Sequence, residues 1–179
     1  MNKISKPKEG EYAPYAIMYI SLLPEDGLVV KHLKDNLKAL RDFIFALPEG
    51  KLTYRYAKDK WTIKEVLVHV IDTERIFAYR ALRFARNDKT ELPGYEQNDY
   101  VPYSRAGERS LENIFEEYAA VREATLSLFE SFNEEDLLRS GIANGNPASV
   151  RALAYQIAGH ELHHMKIIKE RYVPEVWQK

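Results

Sequence analysis

Four segments of this chain repeat apolar residues at intervals of three and four, a period that makes each an amphipathic helix with one face to bury. The first carries Val29, Leu33, Leu37, Leu40, Ile44 and Leu47 between "PEDG" and "PEG", predicting a helix over about 26–47. In "WTIKEVLVHVIDTERIFAYRALRFAR", Thr62 and Glu65 have capping-box spacing, and Ile63, Val66, Val70, Phe77, Ala81 and Phe84 carry the stripe to about residue 86. Ser110 caps a third helix whose stripe is Leu111, Ile114, Phe115, Tyr118, Val121, Thr125, Leu128 and Phe132. After the turn-rich "SGIANGNP", Ser149 caps a fourth, with Val150, Leu153, Ile157, His160, His164 and Ile168 facing inward. The strongest strand candidate, "KLTYRYA", is short and isolated, and no repeat or low-complexity tract interrupts the pattern. The expected fold is therefore an all-α four-helix bundle.

The connection from about 87 to 109 is too long for a helical hairpin and long enough to cross the bundle. Such a crossover lets the second and third helices run the same way. With 179 residues and 45% hydrophobic content, the chain suits one domain spanning 1–179.

A net charge of -1 removes the main electrostatic reason to expect nucleic acid or an anionic membrane as partner. The start "MNKISKPKEG" lacks the apolar stretch of a signal peptide, and no later run approaches membrane-spanning length, so a cytoplasmic location is expected. The chain contains no cysteine, which excludes disulfides, thiolate ligands and a cysteine nucleophile together. Any metal must sit on His, Asp or Glu, and any thiol must arrive with a substrate.

The fourth helix contains "GHELHH", in which His160, Glu161 and His164 stand in the order H-E-x-x-H used by zinc peptidases. Residues four apart on a helix share a face, so His160 and His164 form half of a metal site. A common peptidase class continues the motif with Gly and His where this chain has Ile167 and Glu170; only Glu170 and Glu175 remain as downstream carboxylates. The sequence thus argues against a peptidase. His163 shares a face with Gln156, Lys166 and Glu170 and is expected toward solvent, and His32, beside Lys31 and Lys34, reads as a surface residue.

His69 lies within "VLVHVI", whose apolar neighbours place it at or near the core. At 1.5 Å per residue it sits roughly 10 Å into the second helix, and His164 roughly 12 Å before the end of the fourth. These depths match if the two helices are antiparallel neighbours, and three imidazoles then meet around one divalent ion with a coordination position left open. Zinc is the first expectation; nickel, iron, cobalt and manganese also accept imidazole. Asp72, one turn beyond His69, is a candidate to orient that ring or complete the shell, with pairing to Arg75 or Arg80 as the alternative.

The segments "KWTIKEVLVHVIDTERIFAYRALRFAR", "LPGYEQNDY" and "VRALAYQIAGHELHHMKIIKERY" resemble the DinB-like family of bacterial damage-inducible and stress-related proteins, over about Tyr19 to Tyr172. That resemblance implies an up-down-down-up four-helix bundle, often a homodimer, holding a divalent metal through His69, His160 and His164. Some relatives are transferases or isomerases that use a small thiol such as bacillithiol or mycothiol, and many have no assigned reaction.

Three functions follow as expectations. The leading one is thiol transfer, in which the open metal position ionises a small thiol and directs it at an electrophilic substrate. The second is a hydrolase with metal-bound water as nucleophile and Glu161 as general base. The third is a non-catalytic metal-binding stress protein. For either enzyme, Tyr95, Tyr100 and Tyr103 of the crossover are candidate pocket walls, and Arg75, Arg80 and Arg83 candidate carboxylate receptors.

Overall fold

Three of the long helices in this chain start at side chains that occupy otherwise unsatisfied first N–H groups. In the computed structural model, which describes residues 3–174, Thr62 Oγ1 accepts the Glu65 N–H at 3.2 Å and the Glu65 carboxylate accepts the Thr62 N–H at 2.7 Å. Ser110 and Ser149 accept the N–H groups of Asn113 and Ala152, both at 3.1 Å. The four long helices are α1 (Val29–Phe45), α2 (Ile63–Ala85), α3 (Leu111–Glu130) and α4 (Val150–Ile167), the last extended by one π turn, Ile168–Tyr172.

Contacts at the helix ends fix their directions. Lys64 donates to Arg109 O where α2 and α3 begin, and the Arg86 guanidinium lies over the Phe132 ring where they end, so these two run parallel. α1 opposes α3, because Phe45 packs on Phe115 and Lys34 reaches Glu130. α4 opposes α2: Tyr172 donates to Trp61 O before α2 begins, and Arg139, ahead of α4, bonds Ala85 O. The course is up-down-down-up, with α2 packed between α3 and α4.

Between α3 and α4, β1 (Ser140–Ala143) pairs antiparallel with β2 (Asn146–Ser149). Asn144 and Gly145, at φ 52° and 69°, form the two-residue turn that a tight hairpin requires. The crossover is tied to this hairpin, since Leu92 N–H donates to Ile142 O at 3.0 Å and Leu92 O accepts from Asn144 at 2.9 Å. The sequence marks this region only as turns. Conversely, "KLTYRYA" is not a strand: Glu49–Leu52 is a short helix followed by turns, and among the described residues no neighbouring strand stands there to pair with it.

Residues 3–28, which have no helical period, lie along α4. Ile4 is buried and its carbonyl accepts from Tyr155 at 2.9 Å, while Glu11 pairs with Arg151. The short helix Ile17–Ile20 packs against α4 at Gly159, where an added Cβ would come within 2.2 Å of Tyr19 O. This cover also buries Gln156, expected at the surface, so the exposed face of α4 begins only near Lys166. Gly159→Ala is expected to push the two segments apart and cost about 1–3 kcal/mol, as overpacking against backbone does. Urea unfolding checks it, and an unchanged midpoint would contradict the contact.

The core divides into two apolar lobes. Leu33, Phe77, Phe84, Phe129 and Leu153 belong to one, and Leu40, Ile44, Val66, Val70, Ile114 and Ile168 to the other. Between them, Arg122 binds both oxygens of Glu74 at 2.9 Å and lies 3.2 Å from Glu161, Tyr118 donates to Glu161 at 2.8 Å, and Arg122 also donates to Leu33 O. All four helices contribute to this layer. Among the described residues no helix is long and apolar enough to cross a membrane.

Candidate metal centre

α2 and α4 each bring histidines to their shared edge because antiparallel packing sets the early turns of α2 against the late turns of α4. His69 Nε2 lies 3.1 Å from His160 Nε2, and His164 Nε2 lies 3.0 Å from it. The ligand atoms of all three fall within 4.8 Å of one another, and they form the one such cluster of three or more His, Asp or Glu among the described residues.

Protons alone do not satisfy this arrangement. An imidazole nitrogen carries either one N–H or one in-plane lone pair, so His160 Nε2 serves one neighbour well but not two. Two nitrogens bound to one tetrahedral zinc at 2.0–2.1 Å stand about 3.3 Å apart, close to the 3.1 and 3.0 Å of the two pairs that share His160. His164 Nδ1 is buried without a hydrogen-bond partner, which leaves Nε2 free to face the cluster.

Burial lowers the pKa of His69 to about 4 and that of His164 to about 3, the latter with help from His69 and His163. It drives His160 well below the usual imidazole value, assisted by His164 and His69. All three rings are therefore neutral at pH 7, the form that binds metal. Because the folded values lie below the unfolded ones, their stabilising contribution is present above about pH 6.5 and fades as pH falls toward 4. The same shift removes proton competition for the cation over that window. Zinc affinity is expected to change less than about 3-fold between pH 7.5 and 5.5, where three ordinary histidines would lose roughly 1000-fold. Chelator competition at the two pH values distinguishes these outcomes.

Aromatic side chains frame the three rings. Trp61 lies 4.8 Å from His69 between centroids, and Tyr19 contacts His160 and His163 edge-on, each at 5.3 Å. His163 is thus half-buried and not a solvent-facing bystander. Two concavities adjoin the triad. One, of about 140 Å³, is lined by His160, Tyr19, Thr73, Phe77, Arg80 and Tyr95; the other, of about 200 Å³, by His164, Trp61, Tyr56, Asn98 and Tyr172 among others. A larger one, of about 890 Å³, lies between the N-terminal segment and residues 132–138 and includes none of these histidines.

The remaining candidates divide. Tyr95 enters the cavity and its hydroxyl bonds Thr73 Oγ1 at 2.6 Å, while Tyr100 packs on Tyr95. Tyr103 is 86% exposed and does not close over the site. Arg80 lines the cavity, whereas Arg75 pairs with Glu117 and Arg83 with Asp88. Asp72 lies 3.5 Å from Arg75 and outside the ligand cluster; burial raises its pKa. Glu161, considered as a general base, is 1% exposed with its carboxylate engaged by Tyr118 and Arg122, because its side chain points into the polar layer and not along the His160–His164 stripe. His32 bonds Asp26 at 2.8 Å, Glu170 pairs with Lys166, and Glu175 lies outside the described residues. Tyr19 and Thr73 were not among the sequence candidates; Thr73 is visible afterwards as the residue one turn beyond His69 on its own stripe.

Known proteins of the same fold resemble this chain. A family model described as the DinB superfamily matches residues 32–168. A proposed metal-dependent hydrolase from Oceanobacillus iheyensis is 23% identical over 142 residues, which are 78% of this chain and 81% of that protein. Among solved structures, YfiT from Bacillus subtilis, described as a probable metal-dependent hydrolase with an unusual four-helix bundle topology, superposes with a TM-score of 0.70 at 15% identity, covering 96% of this chain and 94% of YfiT. A DinB-like protein from Bacillus subtilis gives 0.59 at 18% identity over 83% and 91% of the two chains.

Proposed function

Since the chain belongs to the DinB superfamily, we propose that it is a metal-dependent hydrolase of small substrates, with His69, His160 and His164 as the ligands of a divalent ion. The observation that carries this reading is the convergence of three neutral Nε2 atoms beside a cavity of about 140 Å³ that polar side chains enter. A divalent ion held by His69, His160 and His164 would supply a Lewis acid able to acidify water or polarise a carbonyl group. The chain's own residues supply the surroundings. Trp61, Tyr19 and Phe77 pack around the rings, and the mutually bonded Tyr95 and Thr73 hydroxyls keep one O–H to donate to a polarised carbonyl group.

Protein purified without an affinity tag, then loaded with zinc, nickel, cobalt, manganese or iron, is to be assayed on chromogenic esters and amides. At least one metal is expected to raise turnover about 100-fold or more over chelator-treated protein, and His160→Ala to remove the gain. Glu161→Gln is expected to retain it, because that carboxylate is committed to Arg122 and Tyr118. No metal-dependent turnover across the panel would overturn the reading.

One observation favours thiol transfer as a second reading. Among the described residues no carboxylate joins the triad to take a proton from water, and a thiol, far more acidic than water to begin with, depends less on such a base. Adding cysteine, glutathione or bacillithiol with an electrophile to the same assay separates the two, since turnover that requires the thiol assigns a transferase.

A further inference from the structure

Arg80 is 7% exposed, yet among the described residues it forms no ion pair with a carboxylate. Its Nη2 donates to Pro93 O at 2.9 Å, and its guanidinium lies 5.7 Å from the Phe77 centroid. Leaving a guanidinium buried without a counter-ion is costly, and surface arginines of the same helix avoid that cost: Arg75 has Glu117 and Arg83 has Asp88. Arg80 instead lines the cavity that His160 lines.

The spacing along α2 gives this cavity a direction. His69, Thr73, Phe77 and Arg80 follow one another at intervals of four, four and three, so they share a stripe. Helical side chains lean toward the helix N-terminus, which brings the guanidinium back from its Cα toward Thr73 and the histidines. Thr73 Oγ1 and Tyr95 OH, 2.6 Å apart, stand between the two ends as neutral hydrogen-bonding groups. One end is therefore built for a cation that polarises a reacting group, the middle for polar atoms, and the other end for an anion.

We propose that Arg80 is the anchor for a carboxylate of the substrate, so that this site takes small monocarboxylates whose reacting group lies at the three histidines. The placement of the reacting group rests on the hydrolase reading; the anion site does not. A planar guanidinium offers two parallel N–H donors that match a carboxylate. A single buried positive charge compensates one negative charge, which favours a carboxylate over a phosphate dianion. A volume of about 140 Å³ holds a small acid and not a polymer.

Butyrate binding to zinc-loaded protein, followed by titration calorimetry, tests this, with neutral butyramide as control. Arg80→Met is expected to weaken butyrate at least about 10-fold, the loss of one charge-assisted pair, and Arg80→Lys to weaken it less. Butyramide binding and zinc affinity are expected to stay the same in both variants. Chelator-treated wild type separates the anion site from direct ligation of the zinc, because a drop on going from Arg to Met persists there only if Arg80 itself holds the carboxylate. Equal butyrate affinity in wild type and folded Arg80→Met overturns the proposal, whatever the turnover assays give. Should Arg80→Met fail to fold, the Nε–H resonance of Arg80 in wild type decides: it shifts on butyrate binding if the guanidinium is the anchor and stays put if not.

Discussion

His160→Ala is expected to lower zinc affinity by at least about 100-fold, beyond the 10- to 100-fold typical of losing an outer partner of a ligand. His160 Nε2 is the shared member of the cluster, 3.1 Å from the His69 nitrogen and 3.0 Å from that of His164. Without it, the two survivors sit on different helices with nothing between their nitrogens. The effect reads out as heat stability. Zinc at 100 times its Kd stabilises a folded site by about 2.7 kcal/mol. For a chain of this size, at about 2–4 °C per kcal/mol, that corresponds to a rise in melting temperature of about 5–10 °C. Wild type should show this increment and His160→Ala should not. The increment is the measurement, since the variant also changes the packing of metal-free protein. A variant that keeps the full zinc-dependent rise would remove His160 from the ligand set.

Arg122→Met is expected to destabilise the fold by about 3–5 kcal/mol, the usual consequence of removing one partner from a buried ionic group. Arg122, Glu74 and Glu161 are each 1% exposed, and one guanidinium there faces two carboxylates. Taking it away strands both. At the same conversion the melting temperature falls by roughly 6–20 °C. Glu161→Gln has the opposite character, because it removes a charge from a layer that already holds more carboxylates than cations, and burial already raises the Glu161 pKa. That variant should stay within about 1 kcal/mol of wild type. If Arg122→Met is equally mild, the layer is not the electrostatic unit that its distances describe.

The helices and the triad were legible because both rest on short-range regularities. A capping box at Thr62 and Glu65, and apolar spacing from Ile63 to Phe84, depend on nothing outside α2. His69 stood out because valine and isoleucine surround it, and His160 with His164 because a separation of four puts both on one face. The polar layer was not legible, since charged residues within amphipathic helices ordinarily mark the solvated side. One signal was available: Arg122 is four residues from both Tyr118 and Leu126, and Glu74 is four after Val70 and three before Phe77, so each falls on a buried stripe. Arg80, between Phe77 and Phe84, obeys the same rule. The N-terminal cover was silent for a different reason. Its residues gain their places from α4, through Gly159 and Tyr155, and carry no period of their own.

Trp61 rests on the His69 ring, and the sequence holds two tryptophans, the other being Trp177. An indole 4.8 Å from an imidazole, tilted 54° to it, has its emission altered by whatever that imidazole binds, most strongly by a paramagnetic ion such as nickel or copper. With Trp177 replaced by Phe, the chain would carry its own fluorescent gauge of the proposed metal's occupancy, readable in real time without label or dye.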